Sequence, residues 1–149
     1  MKSILLPIHL SFAGVWLGCI ITEALFERAL LGKGRQSELI LAELHKRVDL
    51  LLEIPAFAVV LISGALLYPT AGGDLLLHVK IGLGLLAVSV NSYCVWLVFK
   101  RAAAANRGDW DRFSRLDHKQ HRYGAVVLLA VVLALLVGVS LYGDRPTGG

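Results

Sequence analysis

The chain carries little sulfur: two cysteines, Cys19 and Cys94, and one methionine, Met1, in 149 residues. It contains no CxxC and no CxxCH, which excludes a paired-thiolate zinc site and covalent haem attachment. Both cysteines fall within apolar segments and read as small buried thiols rather than as a disulfide. With Met1 the only methionine, no Met-rich stripe exists, which counts against Cu(I) transport, since that ion favours soft sulfur ligands. The alternating segments of ~10 residues that build membrane barrels are also missing. So is a small-x-small cleavage site after the first apolar stretch, which is therefore expected to be a retained helix following Lys2. There are no repeats, no low-complexity tracts and no second domain; residues 1–149 read as one unit.

What the chain has in abundance is apolar length. Hydrophobic residues make up 56% of it, and the mean hydropathy is +0.68. A soluble domain of this size cannot absorb that much. Four runs, Leu6–Phe26, Leu50–Tyr68, His78–Phe99 and Tyr123–Tyr142, each approach the ~20 residues a membrane-spanning helix needs. The expected fold is all-α: an integral membrane four-helix bundle running up-down-up-down, with the lipid bilayer as its first partner.

Charge orients it. Arg28, Lys33, Arg35, Lys46 and Arg47 lie between the first two runs. Lys100, Arg101, Arg107, Arg112, Arg115, Lys119 and Arg122 lie between the last two, and the connection Pro69–Leu77 has no lysine or arginine. The basic loops belong in the cytosol and both termini outside, in what reads as a bacterial cytoplasmic (inner) membrane. The net charge of +4 is thus a topology signal and does not point to nucleic acid.

Local signals place the helix ends. Pro7 suits a first helical turn. Gly32 and Gly34 supply a stop and turn, and Ser37 reads as the N-cap of the second helix. Pro55 is expected to kink the second span. Pro69 and Gly72–Gly73 make the outer turn, with the third helix starting near Asp74. Asn106–Arg107–Gly108 makes the inner turn, and Asp109 caps a fourth helix on which Trp110, Phe113, Asp117, His121, Gly124 and Leu128 follow one face at helical spacing. Gly14-x-x-x-Gly18 reads as a close-packing motif.

Five histidines stand at the ends of the four runs. The up-down topology puts His9 and His78 at one depth on the outer side, and His45, His118 and His121 on the inner side. Diagonal helices in such a bundle lie roughly 12–14 Å apart, so facing imidazoles can share one metal. This predicts bis-histidine haem b, one or two per chain: His9 with His78, and His45 with His121 (or His118). Small residues one turn on, Ala13, Gly82 and Gly124, would let a porphyrin approach the backbone. Asp49 instead reads as a partner that orients His45. The plainer alternative is that these imidazoles are interfacial anchors.

Ionisable groups within a span are costly and mark functional faces. Glu23, Glu27, Asp49, Glu53 and Lys80 qualify. Lys80 heads a stripe, Gly84, Ala87 and Asn91, and either holds an anionic group or reaches toward headgroups. Glu23 and Glu27 either deliver protons or pair with arginines. Lys80, Glu23 and Asn91 are the candidate catalytic groups.

His9 followed by Trp16-Leu17-Gly18, then Ile54-Pro55-Ala56 with Gly64, then His78-Val79-Lys80-Ile81, resembles the HemJ-type membrane protoporphyrinogen IX oxidases. More broadly it resembles the copper-resistance-D-like four-helix membrane proteins. The resemblance spans the first three helices. It implies bound b-type haem with His9 as ligand, Lys80 at the haem or active site, and oxidation of a tetrapyrrole precursor coupled to respiration. Departures are Asn91 where a histidine is expected, Glu23 and Glu27 where an arginine is expected, and a fourth helix reading Leu116-Asp117-His118-Lys119-Gln120-His121. The resulting expectation is a haem-binding membrane redox protein acting on a quinol or porphyrinogen, with a possible redox partner subunit or a homo-oligomer. A copper- or other metal-handling protein and a cofactor-free subunit of a larger complex are the alternatives.

Overall fold

The computed structural model describes residues 2–70 and 73–143. Its helices are α1 (Lys2–Leu30), α2 (Arg35–Val48), α3 (Ile54–Leu67), α4 (Leu75–Asn106) and α5 (Trp110–Gly143). A π-helical turn, Asp49–Glu53, joins α2 to α3 without a break, so the second span is one continuous rod of 33 residues. Among the described residues there is no strand. Four helices are long and apolar enough to cross a membrane, and the chain is a multi-pass membrane four-helix bundle.

The solvent is written into the surface. Leu75, Val139 and Leu51 are 80%, 70% and 68% exposed, while Arg101 is 0% exposed and Asp49 is 1%. That inversion is stable only where apolar side chains meet lipid and charged groups find partners inside. At ~1.5 Å per residue, α4 is roughly 48 Å long against a hydrocarbon core of about 30 Å. The helices therefore project beyond the bilayer at the basic end, where α1 meets α2 and α4 meets α5.

Pro55 explains the π turn. It has no N–H to offer the carbonyl four residues back, and the backbone responds one residue earlier: the Ile54 N–H reaches Asp49 O, an i to i+5 bond. The anticipated kink is thus a local unwinding. Gly32 (φ 73°) and Gly34 (φ 106°) make the first inner turn as expected. Gly34, rather than Ser37, precedes the first helical residue of α2, because its extended left-handed conformation starts the helix three residues earlier than the Ser37 signal implied. Asp109 caps α5 as anticipated, its Oδ1 accepting the Arg112 N–H at 3.1 Å. Pro7 sits in the second turn of α1 rather than the first, since the helix already begins at Lys2. Of the Gly72–Gly73 turn, Gly72 lies outside the described residues.

Around the bundle α1 packs on α3, α3 and α2 on α4, α4 on α5, and α5 back on α1, so α1 and α4 are diagonal. Trp16, Ala56, Ala87, Cys94, Val127, Ala130 and Val131 form the mid-membrane core. Ala42, Ala102, Ala104, Ala105 and Phe113 form a second, alanine-rich core at the basic end, where small side chains let α2 approach α4 closely. Cys19 and Cys94 are free and buried. Gly14 and Gly18 face outward with nothing within 4 Å of a built Cβ, so this motif packs no helix of its own chain.

Candidate functional site: an outer cavity above a buried polar core

Between the outer halves of the four spans lies a cavity of about 460 Å³, in the range of pockets that take organic ligands of ~300–1,000 Å³. Its walls are almost wholly apolar, from Ala13, Trp16, Val60, Val88 and Leu135 among others. The exceptions are His9 from α1, Lys80 from α4 and Tyr68 just past the end of α3.

The protonation of His9 follows from its neighbours. Its Nδ1 lies 2.9 Å from Ser63 Oγ. Ser63 Oγ also lies 2.6 Å from the Val59 carbonyl and 3.2 Å from the Val60 carbonyl; with its single proton given to a carbonyl it accepts at His9, which puts the N–H on Nδ1. That leaves Nε2 with a free lone pair. A ring whose Nδ1–H is held by an oxygen while Nε2 is bare is oriented as a metal-ligating histidine is oriented. The position is tight: a Cβ on Gly64 would come 3.2 Å from His9 Cε1. Lys80 is seated in the same way, with Gly138 offering only 3.2 Å to its Cε and Nζ. Both glycines are small so that these two polar side chains fit.

His78 does not join His9. It is exposed, outside the cavity lining, and its Nδ1 lies 3.0 Å from the Asp74 carbonyl of its own helix. Its position near the start of α4 points it around the outside of the rod. Gly82 is exposed with open space around it, and Gly124 likewise has nothing within 4 Å of a built Cβ, so neither borders a ligand space. Small residues that do line the cavity include Ala13, Gly64, Gly84 and Gly138.

Below Trp16 the interior turns polar. Trp16 Nε1 donates to Glu53 Oε1 at 3.2 Å. Asp49 is in hydrogen-bonding contact with Glu53 on one side and Glu23 on the other. Asn91 adjoins Glu53, but its Nδ2 makes no hydrogen bond of good geometry. Glu23 Oε2 is 3.0 Å from His45 Nε2. Arg101, fully buried, holds the lower part together: Nη2 donates to His45 Nδ1 at 2.7 Å, and Nη1 reaches Glu27 Oε1 at 3.0 Å and Asp117 Oδ1 at 2.5 Å. Glu27 Oε2 then meets His121 Nε2 at 2.9 Å, and the His121 side chain is 46% exposed at the basic end. Gln120 packs its amide on both ring nitrogens of His45, at 3.0 and 3.3 Å.

Two groups, Glu23–His45–Asp49 and Glu27–Asp117–His121, bring ligand atoms within 4.8 Å of one another and can hold a metal ion. In the first, however, Arg101 donates to Nδ1 of His45, so the neutral ring carries its proton on Nε2, the nitrogen that faces the carboxylates. That nitrogen is a hydrogen-bond donor there. Nor do His45 and His121 flank a flat space: both rings touch the Glu27 carboxylate, His45 at 3.6 Å, so the inner histidine pair is bridged by an acid instead of opening around a cofactor. His118 is exposed.

No family model, no curated protein and no solved structure matches the chain. The site is therefore read from its own geometry.

Sequence reasoning picked out His9, Lys80, Glu23, Glu27, Asp49, Glu53 and Asn91, and these do line the interior. It placed Arg101 among the topology-setting loop charges and passed over Ser63 and Gln120. A signal existed for Arg101: the stripe Lys80, Gly84, Ala87, Asn91 continues at helical spacing through Cys94, Val98 and Arg101, all buried but the first two. On α5 the inward face runs through Phe113, Asp117, Gln120, Gly124 and Val127, while the exposed His121 and Leu128 stand at its edge, roughly 60–80° round from Phe113 at about 100° per residue.

Proposed function

We propose that this membrane protein binds one flat, amphipathic tetrapyrrole of the haem b class in its outer cavity, with His9 Nε2 as the protein ligand to the metal. The observation that carries this reading is the His9 ring, held at Nδ1 by Ser63 and lining a largely apolar chamber. Ala13, Gly64 and Gly84 leave the walls low enough for a planar ring, and Lys80 stands ready for an acidic edge group. A cavity bounded partly by exposed leucines, Leu61 and Leu85, admits such a ligand from the lipid. The chain offers one histidine to this cavity, so the reading is a single haem with one protein ligand, in place of the bis-histidine pairs expected from the sequence.

Such a group would supply electron transfer, consistent with the resemblance to the HemJ-type oxidases, in a bacterial cytoplasmic membrane. The chain's own residues do the rest: Ser63 fixes the His9 tautomer, Lys80 neutralises an anionic substituent, and the apolar walls, closed on a bound ring, keep water from it. A second reading keeps the cavity and changes the occupant: a lipid-soluble quinone held by hydrogen bonds from His9 and Lys80.

Titrating the purified protein with haem and with metal-free protoporphyrin separates the two. The haem reading expects one haem per chain, tight binding that Ala at His9 abolishes, and much weaker binding of the metal-free ring. Equal affinity for the two rings, or full haem binding by the His9→Ala protein, removes His9 as the ligand. Displacement of nothing but a bound quinone, with no haem taken up, favours the second reading.

A further inference from the structure

Five buried carboxyl groups, Glu23, Glu27, Asp49, Glu53 and Asp117, share the inner half of the bundle with one buried guanidinium, Arg101. His121 at the rim is the other cation available to them. Two positive groups cannot balance five carboxylates in a desolvated interior, where an unpaired charge is prohibitively costly. Protons must therefore reside among the acids, and the buried Glu23 Oε1 and Asp49 Oδ2 take no hydrogen bond from any N–H or hydroxyl, which leaves only the neighbouring acids to supply one. An unpartnered carboxyl oxygen beside a protonated neighbour is where a proton can land next.

These groups form an unbroken file. Its upper end is Glu53, held by Trp16, whose ring lines the cavity. From there the file runs to Asp49, Glu23, His45, Glu27 and the half-exposed His121. The groups facing it from the other helices are Asn91 and Arg101 on α4 and Asp117 and Gln120 on α5. The π turn contributes directly, since its wide winding sets Asp49 and Glu53 one above the other on the inward face.

We infer that this file is a proton relay connecting the cytosolic end of the bundle to the floor of the outer cavity. His45 is its exchange point. A proton arriving from Glu27 adds at Nδ1 when Arg101 releases that nitrogen to Asp117. The Nε2 proton then passes to Glu23, and the ring is neutral again with its proton on Nδ1. Glu23 hands a proton to Asp49, and Asp49 to Glu53, each acid giving up one proton as it gains another. Trp16 is the latch: its N–H anchors Glu53, and breaking that bond frees the carboxyl to turn toward the cavity. Arg101 is the electrostatic barrier, because a proton on His45 Nδ1 stands where the guanidinium now sits. The relay needs no haem, so it stands or falls apart from the occupant of the cavity.

The test is proton uptake into liposomes containing the full chain, driven by a potassium diffusion potential with valinomycin and read with an entrapped pH dye. Wild-type vesicles should acidify several-fold faster than protein-free vesicles. Glu53→Gln and Asp49→Asn should fall to the protein-free rate, Glu53→Asp should retain flux, and Trp16→Phe should raise it. Glu38→Gln, on the exposed α2 ion pair with Arg35, should change nothing. Size-exclusion profiles matching wild type establish that each variant is folded. Wild-type flux equal to the protein-free rate overturns the relay, and so does undiminished flux in a folded Glu53→Gln protein.

Discussion

Replacing Arg101 by methionine tests how the inner half of the bundle is held. Methionine keeps most of the stem's volume, so the change isolates the charge. The substitution strips a donor from His45 and the only buried cation from Glu27 and Asp117. Three hydrogen bonds to or from charged groups, at about 1.5–3 kcal/mol each, would sum to roughly 4.5–9 kcal/mol. The acids have an escape, since each can take up a proton and stop being a buried charge. Breaking a buried ion pair by removing one partner accordingly costs about 3–5 kcal/mol, and that is the expected loss. Lysine at the same position should recover part of it: one ammonium cannot serve three partners spread across α1, α2 and α5 as a planar guanidinium does. Adding Asp117→Asn to Arg101→Met should be less destabilising than the two single effects summed, because each removes part of the same interaction. The assay is reversible unfolding in mixed micelles, or the midpoint of thermal aggregation where unfolding is irreversible. An Arg101→Met protein as stable as wild type would refute the reasoning, because the guanidinium would then contribute nothing to the structure that its position dictates.

Other outcomes follow from single contacts. Ser63→Ala, which frees His9 Nδ1, should weaken haem binding by about 10–100-fold, as loss of a partner to a ligating histidine does. Gly64→Val should leave the helix intact while pushing the His9 ring, 3.2 Å away, out of line, so ligand affinity falls with little change in unfolding temperature. Gly34→Ala should cost on the order of 1–3 kcal/mol by forcing a side chain onto a glycine-only backbone conformation at φ 106°, read as a lowered unfolding midpoint with binding unchanged. His78→Ala should be silent in both assays, because that ring is exposed, lies outside the cavity lining and hydrogen-bonds the Asp74 carbonyl at the start of its own helix.

Much of the architecture was legible in the residues. Four apolar runs and two basic loops dictate four spans and the end at which they project, because hydropathy and loop charge act locally along the chain. Depth was legible for the same reason: His9 and His78 do both lie near the outer ends of their helices. Facing was not. Depth depends on position along a rod, whereas facing depends on rotation about it, and rotation is set by which neighbours the rod packs against. His78 stands two residues before Lys80, about 200° around α4, which takes it off the inward stripe that Lys80 and Gly84 share and out of the cavity. The inner histidines failed differently. Their partners, Arg101 and Gln120, stand 56 and 75 positions away from His45, and no pattern local to residue 45 announces either. The acids were easier to find, because an ionisable side chain within a span is conspicuous wherever it points.

The most direct measurement is the spectrum of the reduced, haem-loaded protein before and after carbon monoxide. With His9 as the one protein ligand to the metal, the opposite face is open, and carbon monoxide should bind and shift the Soret band in wild type and in the His78→Ala protein alike. A spectrum that carbon monoxide leaves unchanged, with the narrow bands of iron held between two histidines, would contradict the account.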